Sequence, residues 1–351
     1  MSTDGNARLS FLEISGTPYD VGVQLGRFAA DLVHSYLGRT YAWASVIALR
    51  DHPDLAPSRA LVQQRFPRYW QELEGLAHGL DLSIDEVFAW NCRGDLGAST
   101  HDGCTTVQIP GDQLILGHNE DGDPGLGARC AIALIRSEGG KAFSAFVYPG
   151  SLPGHAFAVA ETGLVQTVNN IRLRGAGAGI PRMVLTRAVL DCDCLDDAVK
   201  MIEDGPRWGA FHVSLAQAGD RRLLSVEFTH SSCSVRSLTQ PGCHANHLVH
   251  DRMCDEQQII TASSRSRQER GDEIIRSGNN LGPEPLSILR DRSRISLPIY
   301  RRQPDDPDNE NTLATAIFKI GPDKVSWRVY DRPGEPPIFS AAGGLVDCQG
   351  R

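Results

Sequence analysis

The chain has 351 residues, 41% hydrophobic and 22% charged, an ordinary globular composition with enough apolar side chains for a large core. Its net charge of −8 excludes a general nucleic-acid binder, because phosphate contacts need concentrated Lys and Arg. The start is polar and no run approaches the roughly 18 apolar residues of a membrane span, so a soluble, cytoplasmic protein with no membrane partner is expected. Nine Cys without a CxxC pair argue against a disulfide framework and for reduced, mostly buried thiols.

Residues 9–14 alternate as a short strand, and a helix is predicted to start near Pro18, where a first-turn proline fits. Val21, Leu25, Phe28, Ala29, Leu32 and Val33 continue it at helical spacing. Further helices are expected over residues 59–66, 69–78 and 84–90, the last capped by Ser83 with Glu86 three residues on. The texture then changes. Residues 105–109 and 113–118 flank Pro110-Gly111-Asp112 in the pattern of a β-hairpin, which would pair Cys104 near His118, with Asp121 about 10 Å or less beyond.

Strands are expected at 131–136, 142–148, 155–160 and 164–169, helices at 181–191 and 195–203, and strands at 211–217 and 223–228. A helix over 264–276, a polar loop over 303–311 and a hairpin of 312–320 with 325–331 close the chain. Helices, then strands and helices in one continuous region, imply sheets layered with helices. The Arg-rich stretches 265–276 and 290–302 are interleaved with acids and read as solvated helical faces.

The chemistry centres on Cys104, which follows Gly103 at the head of a strand. A Cys in such a place is ordinarily a structural thiol. If the 103–104 peptide were cut, however, the new α-amino group could serve as the thiol's own base. The two pKa values, about 7.7–8 and about 8.5, make that proton transfer nearly isoenergetic. Glycine before the cysteine suits such a cut, since it tolerates strain and leaves its carbonyl open. His244, His247 and His250 sit three apart, but no acid or Cys completes a sphere, and no metal is expected. Asn91 and Arg93 read as holding the segment before Cys104. Asn169 and Asn170, at a strand end, either line a pocket or turn the chain.

Together the motifs resemble the acyl-coenzyme A:6-aminopenicillanic acid acyltransferase family, the C45 peptidases of the N-terminal nucleophile hydrolase superfamily. The likeness includes Gly16-Thr17-Pro18-Tyr19-Asp20-Val21-Gly22 with Gly26, Gly75-Leu76-Ala77, Asn91-Cys92-Arg93-Gly94-Asp95 and Gly103-Cys104-Thr105. It continues through Gly117-His118-Asn119-Glu120-Asp121, Gly179-Ile180-Pro181-Arg182 and His244-Ala245-Asn246-His247, over nearly the whole length.

The resemblance implies an α+β, four-layer αββα sandwich made as one precursor that cuts itself between Gly103 and Cys104. Residues 1–103, a helical leader, would be released as a small subunit. Residues 104–351 would form the large one, the two making one αββα domain. Cys104 would be the nucleophile with its own amine as base, Asp121 would orient that amine, Asn246 would donate to the oxyanion, and Arg301 stands for the family's late arginine. No cofactor is implied. Where the family reads Gln-Asn-Trp-Asp this chain has His118-Asn119-Glu120-Asp121, so a carboxylate replaces an aromatic pocket wall.

With Glu120, His118 and Asn170 lining it, the pocket is expected to accept a cationic acyl group such as β-alanyl; the family includes hydrolases of β-alanyl amides of biogenic amines. The resulting reading is a self-processing cysteine amidohydrolase or acyltransferase acting on a small linear amide. Its partners would be that small molecule and the two pieces of its own precursor, with a homo-oligomer left open. Three alternatives remain: an acyl-CoA-dependent N-acyltransferase, a papain-like thiol hydrolase with an internal Cys104 and His118 as base, and an inert binding protein on the same fold.

Overall fold

In the computed structural model, residues 9–97, 102–175, 177–278, 284–302 and 309–346 are described. Helix α1 (Pro18–Ser35) begins at a capping box between Thr17 and Asp20, with Pro18 in its first turn. It crosses α4 (Pro67–Leu80), and the crossing is set by glycine. A Cβ at Gly22, Gly26, Gly75 or Gly79 would overlap the partner helix's backbone, so the two helices approach as closely as bare backbone allows. The family-like glycines Gly22, Gly26 and Gly75 are thus packing residues. Helix α3 (Leu55–Arg65) starts earlier than expected, and α5 (Ile84–Asn91) has the expected Ser83–Glu86 capping box. Helix α2 (Tyr41–Ile47), seven residues long, shows too little periodicity to be read from sequence.

Two sheets face each other. The first has eight strands in the order β1 (Ser10–Gly16), β4 (Ala131–Ser137), β5 (Phe143–Val147), β6 (Phe157–Ala160), β7 (Leu164–Asn170), β8 (Phe211–Gln217), β9 (Leu224–Phe228) and β10 (Cys233–Ser237). The second has six: β11 (Gly242–His244), β2 (Asp102–Ile109), β3 (Leu114–Gly122), β12 (Asn311–Ile320), β13 (Val325–Tyr330) and β14 (Phe339–Ala341). The sheets meet through Phe157 of β6, packed against Phe318 and Trp327, and through Thr106 of β2, bonded to Asn169 of β7.

Helices α1, α4, α6 (Arg182–Val189) and α7 (Leu195–Glu203) lie with the eight-stranded sheet, and α8 (Ala262–Ser277) and α9 (Pro285–Leu289) cover the six-stranded one. The fold is an α+β αββα sandwich. Strands β10, β11 and β14 are edge segments of three to five residues, too short to show alternation. Residues 303–308 of the expected polar loop lie outside the described residues, and β12 begins at Asn311.

The hairpin of β2 and β3 differs from expectation in register. The pair that closes it is Ile109 with Ile115, two residues beyond the expected register, so Cys104 pairs with Glu120 rather than near His118, and Gly103 pairs with Asp121. Because side chains alternate across a strand, a two-residue shift keeps Cys104, His118 and Glu120 on one face and Asp121 on the other, and changes only which residue stands opposite Cys104.

Candidate active site

Even-numbered β2 side chains point between the sheets and odd-numbered ones toward α8 and α9. Cys104, His118 and Glu120 therefore stand together on the inner face, and one ligand-type atom from each lies within 4.8 Å of the others. The Glu120 Oε2 oxygen is 3.7 Å from Cys104 Sγ and 2.9 Å from His118 Nε2, while Oε1 accepts from the Tyr148 hydroxyl at 2.7 Å. All three inner residues are buried. Burial, followed by the Glu120 and Asp121 charges, pushes the Cys104 thiol well above its ordinary value, against the pull of the Asn170 N–H and Arg267. His118 is pushed down to about 3, with burial the largest cause.

Both ends of the Cys104 backbone unit are held by side chains. Its N–H donates to Asn246 Oδ1 at 2.9 Å, and its carbonyl accepts from Arg267 of α8. Arg267 also donates to Asn246 Oδ1 at 2.7 Å and to Thr105 Oγ1 at 2.9 Å. The Asn246 amide N–H2 is turned the other way and donates to the Asn170 carbonyl at 3.0 Å. Asn246 thus presents its oxygen, not its donor, to residue 104. Asn170 accepts from Arg182 at 2.6 Å through its side chain.

Asp121 stands on the opposite face of β3. Its Oδ1 accepts from Thr312 at 2.7 Å, and its buried Oδ2 has no hydrogen-bond partner among the described residues. Burial raises its pKa to about 7, against the pull of Arg267, Arg301 and the Thr312 bond. The group touching the Cys104 nitrogen is accordingly Asn246, while Asp121 lies across the hairpin beside Gly103. Arg301 is buried and paired with Glu310, whose carboxylate fills the space where a Cβ on Gly103 would lie.

Sequence reasoning singled out most of these positions but not Arg267, Tyr148 or Thr106. The reading of 265–276 and 290–302 as solvated faces fails at Arg267 and Arg301, which are 1% and 0% exposed. The signal for Arg267 was present: Ser263, Ser264, Arg267 and Gly271 recur at helical spacing, a buried stripe of small residues around one long side chain. Of the three histidines, His244 bonds Glu227, which also lies 4.0 Å from His250, while His250 bonds Ser225 and Ser234 and His247 turns away to Ser264. The eight described cysteines are free thiols. Asn91 and Arg93 tie the end of α5 to residues 150–152. A cavity of about 160 Å³, lined by Ile171, Asp54, Asp95 and Trp208, is not walled by Cys104, His118 or Glu120. No described helix is long and apolar enough to cross a membrane.

Two facing sheets covered by helices on both sides, with a buried cysteine near the start of strand β2, define an N-terminal nucleophile hydrolase type of fold. The chain belongs to the acyl-coenzyme A:6-aminopenicillanic acid acyl-transferase family, whose model matches residues 108–334. It is 25% identical over 300 residues to the beta-alanyl-dopamine/carcinine hydrolase of Drosophila melanogaster, covering 72% of this chain and 76% of that one. It is 22% identical over 342 residues to the acyl-coenzyme A:6-aminopenicillanic-acid-acyltransferase 40 kDa form of Emericella nidulans, covering 92% and 91%. A hydrolase and an acyltransferase are thus both found among its relatives.

Proposed function

We propose that the chain is a self-processing cysteine amidohydrolase whose nucleophile is Cys104 and whose substrate is a small amide with a cationic acyl group. The observation that carries this is the grip on residue 104: Asn246 holds its nitrogen and Arg267 its carbonyl. Buried side chains would keep the residue in place after the peptide before it is gone.

In maturation, Cys104 Sγ attacks the Gly103 carbonyl carbon, the C–N bond breaks as the C–S bond forms, and the thiol proton passes to the leaving nitrogen. Water then hydrolyses the thioester, leaving the Gly103 carboxylate, the free thiol and the α-amine. In turnover the amine takes the thiol proton as Sγ attacks the substrate amide, and gives it to the departing amine. Water resolves the acyl-enzyme; an acceptor amine in its place would make the reaction acyl transfer. Asn246 Oδ1 keeps the α-amine aimed at the thiol. A papain-like alternative is disfavoured by geometry, since His118 spends Nδ1 on Thr106 and directs Nε2 at Glu120.

Glu120, 3.7 Å from the Cys104 thiol, supports a cationic acyl group, as in the β-alanyl amides named for the fly relative. The test is intact mass and N-terminal sequencing of the purified protein, then turnover of β-alanyl and neutral acyl amides. Two fragments, one starting at Cys104, and none from Cys104→Ala, are expected, with β-alanyl amides preferred. Glu120→Gln should erase that preference. A single uncut chain that hydrolyses these amides would sink the proposal.

A further inference from the structure

The inner-face cluster contains a proton conflict. The Asn169 side chain is oriented by donating its N–H2 to the His244 carbonyl at 3.2 Å, so its Oδ1 can only accept. Thr106 must therefore donate its hydroxyl proton to Asn169 Oδ1, 2.7 Å away. That leaves the Thr106 oxygen to accept from His118 Nδ1–H at 2.8 Å. Neutral His118 then turns the lone pair of Nε2 toward Glu120 Oε2, an acceptor, at 2.9 Å. Two acceptors at that distance need something positive between them, and Cys104 Sγ looks at the same oxygen from 3.7 Å.

We propose that Cys104 Sγ, His118 Nε2 and Glu120 Oε2 form a binding site for a thiophilic divalent cation such as Zn²⁺, and that the bound metal holds the nucleophile silent. A thiolate, an imidazole and a carboxylate are the donor types zinc takes. Its bond lengths of about 2.0–2.3 Å put tetrahedral ligand atoms roughly 3.3–3.8 Å apart. The sulfur–oxygen distance here is 3.7 Å, the nitrogen–oxygen distance of 2.9 Å would open on binding, and all three atoms lie within 4.8 Å of one another. Coordination would remove the thiol proton and any proton held between Glu120 and His118 to solvent, leaving a dication balanced by one thiolate and one carboxylate. The fourth position falls to water.

Around these ligands the supporting contacts are in place. Thr106 fixes the His118 tautomer, and the Tyr148 hydroxyl holds the other Glu120 oxygen. The sequence shows no metal motif because the ligands come from two strands joined by a hairpin, with ligand spacing set by register. Metal binding stands apart from the catalytic proposal; the silencing rests on Cys104 being the nucleophile there.

The test uses the whole protein freed of metal with a chelator and titrated with Co²⁺, then Zn²⁺. The expected result is one Co²⁺ per chain, with thiolate-to-cobalt charge-transfer absorption that is absent in Cys104→Ser and displaced by one equivalent of Zn²⁺. Thr106→Val should weaken binding about 10-fold by freeing the His118 ring, and Glu120→Gln or His118→Asn should weaken it further. In the unmutated protein, Zn²⁺ should shield Cys104 from alkylation, read by peptide mass, and a chelator should restore its reactivity. No stoichiometric absorption, or affinity unchanged in both Glu120→Gln and His118→Asn, would overturn the site and leave a shared proton as the content of the cluster. None of these readouts involves substrate, so they report on the metal site whatever amide is hydrolysed.

Discussion

Arg267 reaches both ends of the Cys104 peptide unit, the carbonyl directly and the nitrogen through the Asn246 oxygen they share. A lysine in its place keeps the charge but loses the planar fork that bridges the two. Arg267→Lys should therefore leave the protein folded and slow kcat about 100-fold, the scale of an ångström of misplacement at a nucleophile, with KM little changed. Single-turnover and steady-state rates check this. Asp95 gives a prediction of another kind. Its Oδ1 accepts from the Arg182 N–H at 3.2 Å, its Oδ2 has no partner among the described residues, and burial raises its pKa to about 6. The folded state thus holds this proton more tightly than the unfolded chain, whose Asp titrates near 3.9. The stability it contributes is complete below about pH 4 and is lost as the pH rises through 6, about 3 kcal/mol in all. Denaturant unfolding across that range should show the loss, and Asp95→Asn should flatten it.

At the scale of elements, legibility followed local signal. The first-turn proline of α1, the Ser83 capping box and the apolar strand runs bounded by Gly or Pro could be read directly, because the residues that specify them are neighbours in sequence. The hairpin shows the limit. Pro110-Gly111-Asp112 marks the turn correctly, yet a two-residue shift in register moves Cys104 from opposite His118 to opposite Glu120, while Asp121 keeps the other face in either register. Arg267 was lost for a related reason, since charge in sequence says nothing of whether a helix face meets solvent or a strand end. The α1–α4 crossing carries the sharpest prediction here. A Cβ on Gly75 would overlap the Tyr19 carbonyl oxygen, which belongs to helix backbone and cannot rotate away. Gly75→Ala should cost about 1–3 kcal/mol by overpacking, visible as a lower unfolding midpoint, although alanine is the better helix former.

For the whole molecule, the consequence of cutting before Cys104 depends on what joins residues 1–103 to the remainder. Strand β1 pairs in parallel with β4 over seven residue pairs, from Ser10 with Ala131 to Gly16 with Ser137. Inside, Arg187 of α6 makes two bonds to Glu72 of α4, at 2.7 and 2.9 Å, and Tyr69 donates to Asp191 at 2.8 Å. Arg187 and Glu72 are both fully buried. The leader is thus part of the core, and scission would release it from the chain but not from the fold. The two pieces should co-elute as one species under native conditions and separate only in denaturant. Glu72→Ala tests the link, because it leaves the Arg187 guanidinium with Asp191 as its only counter-ion among the described residues, 3.2 Å away. Breaking a buried pair from one side costs about 3–5 kcal/mol, and the remaining Asp191 contact places this variant toward the low end. That loss should lower the denaturant concentration at which the fragments part. If the fragments of the unmutated protein drifted apart in plain buffer, the interlocking of leader and core described here would be contradicted.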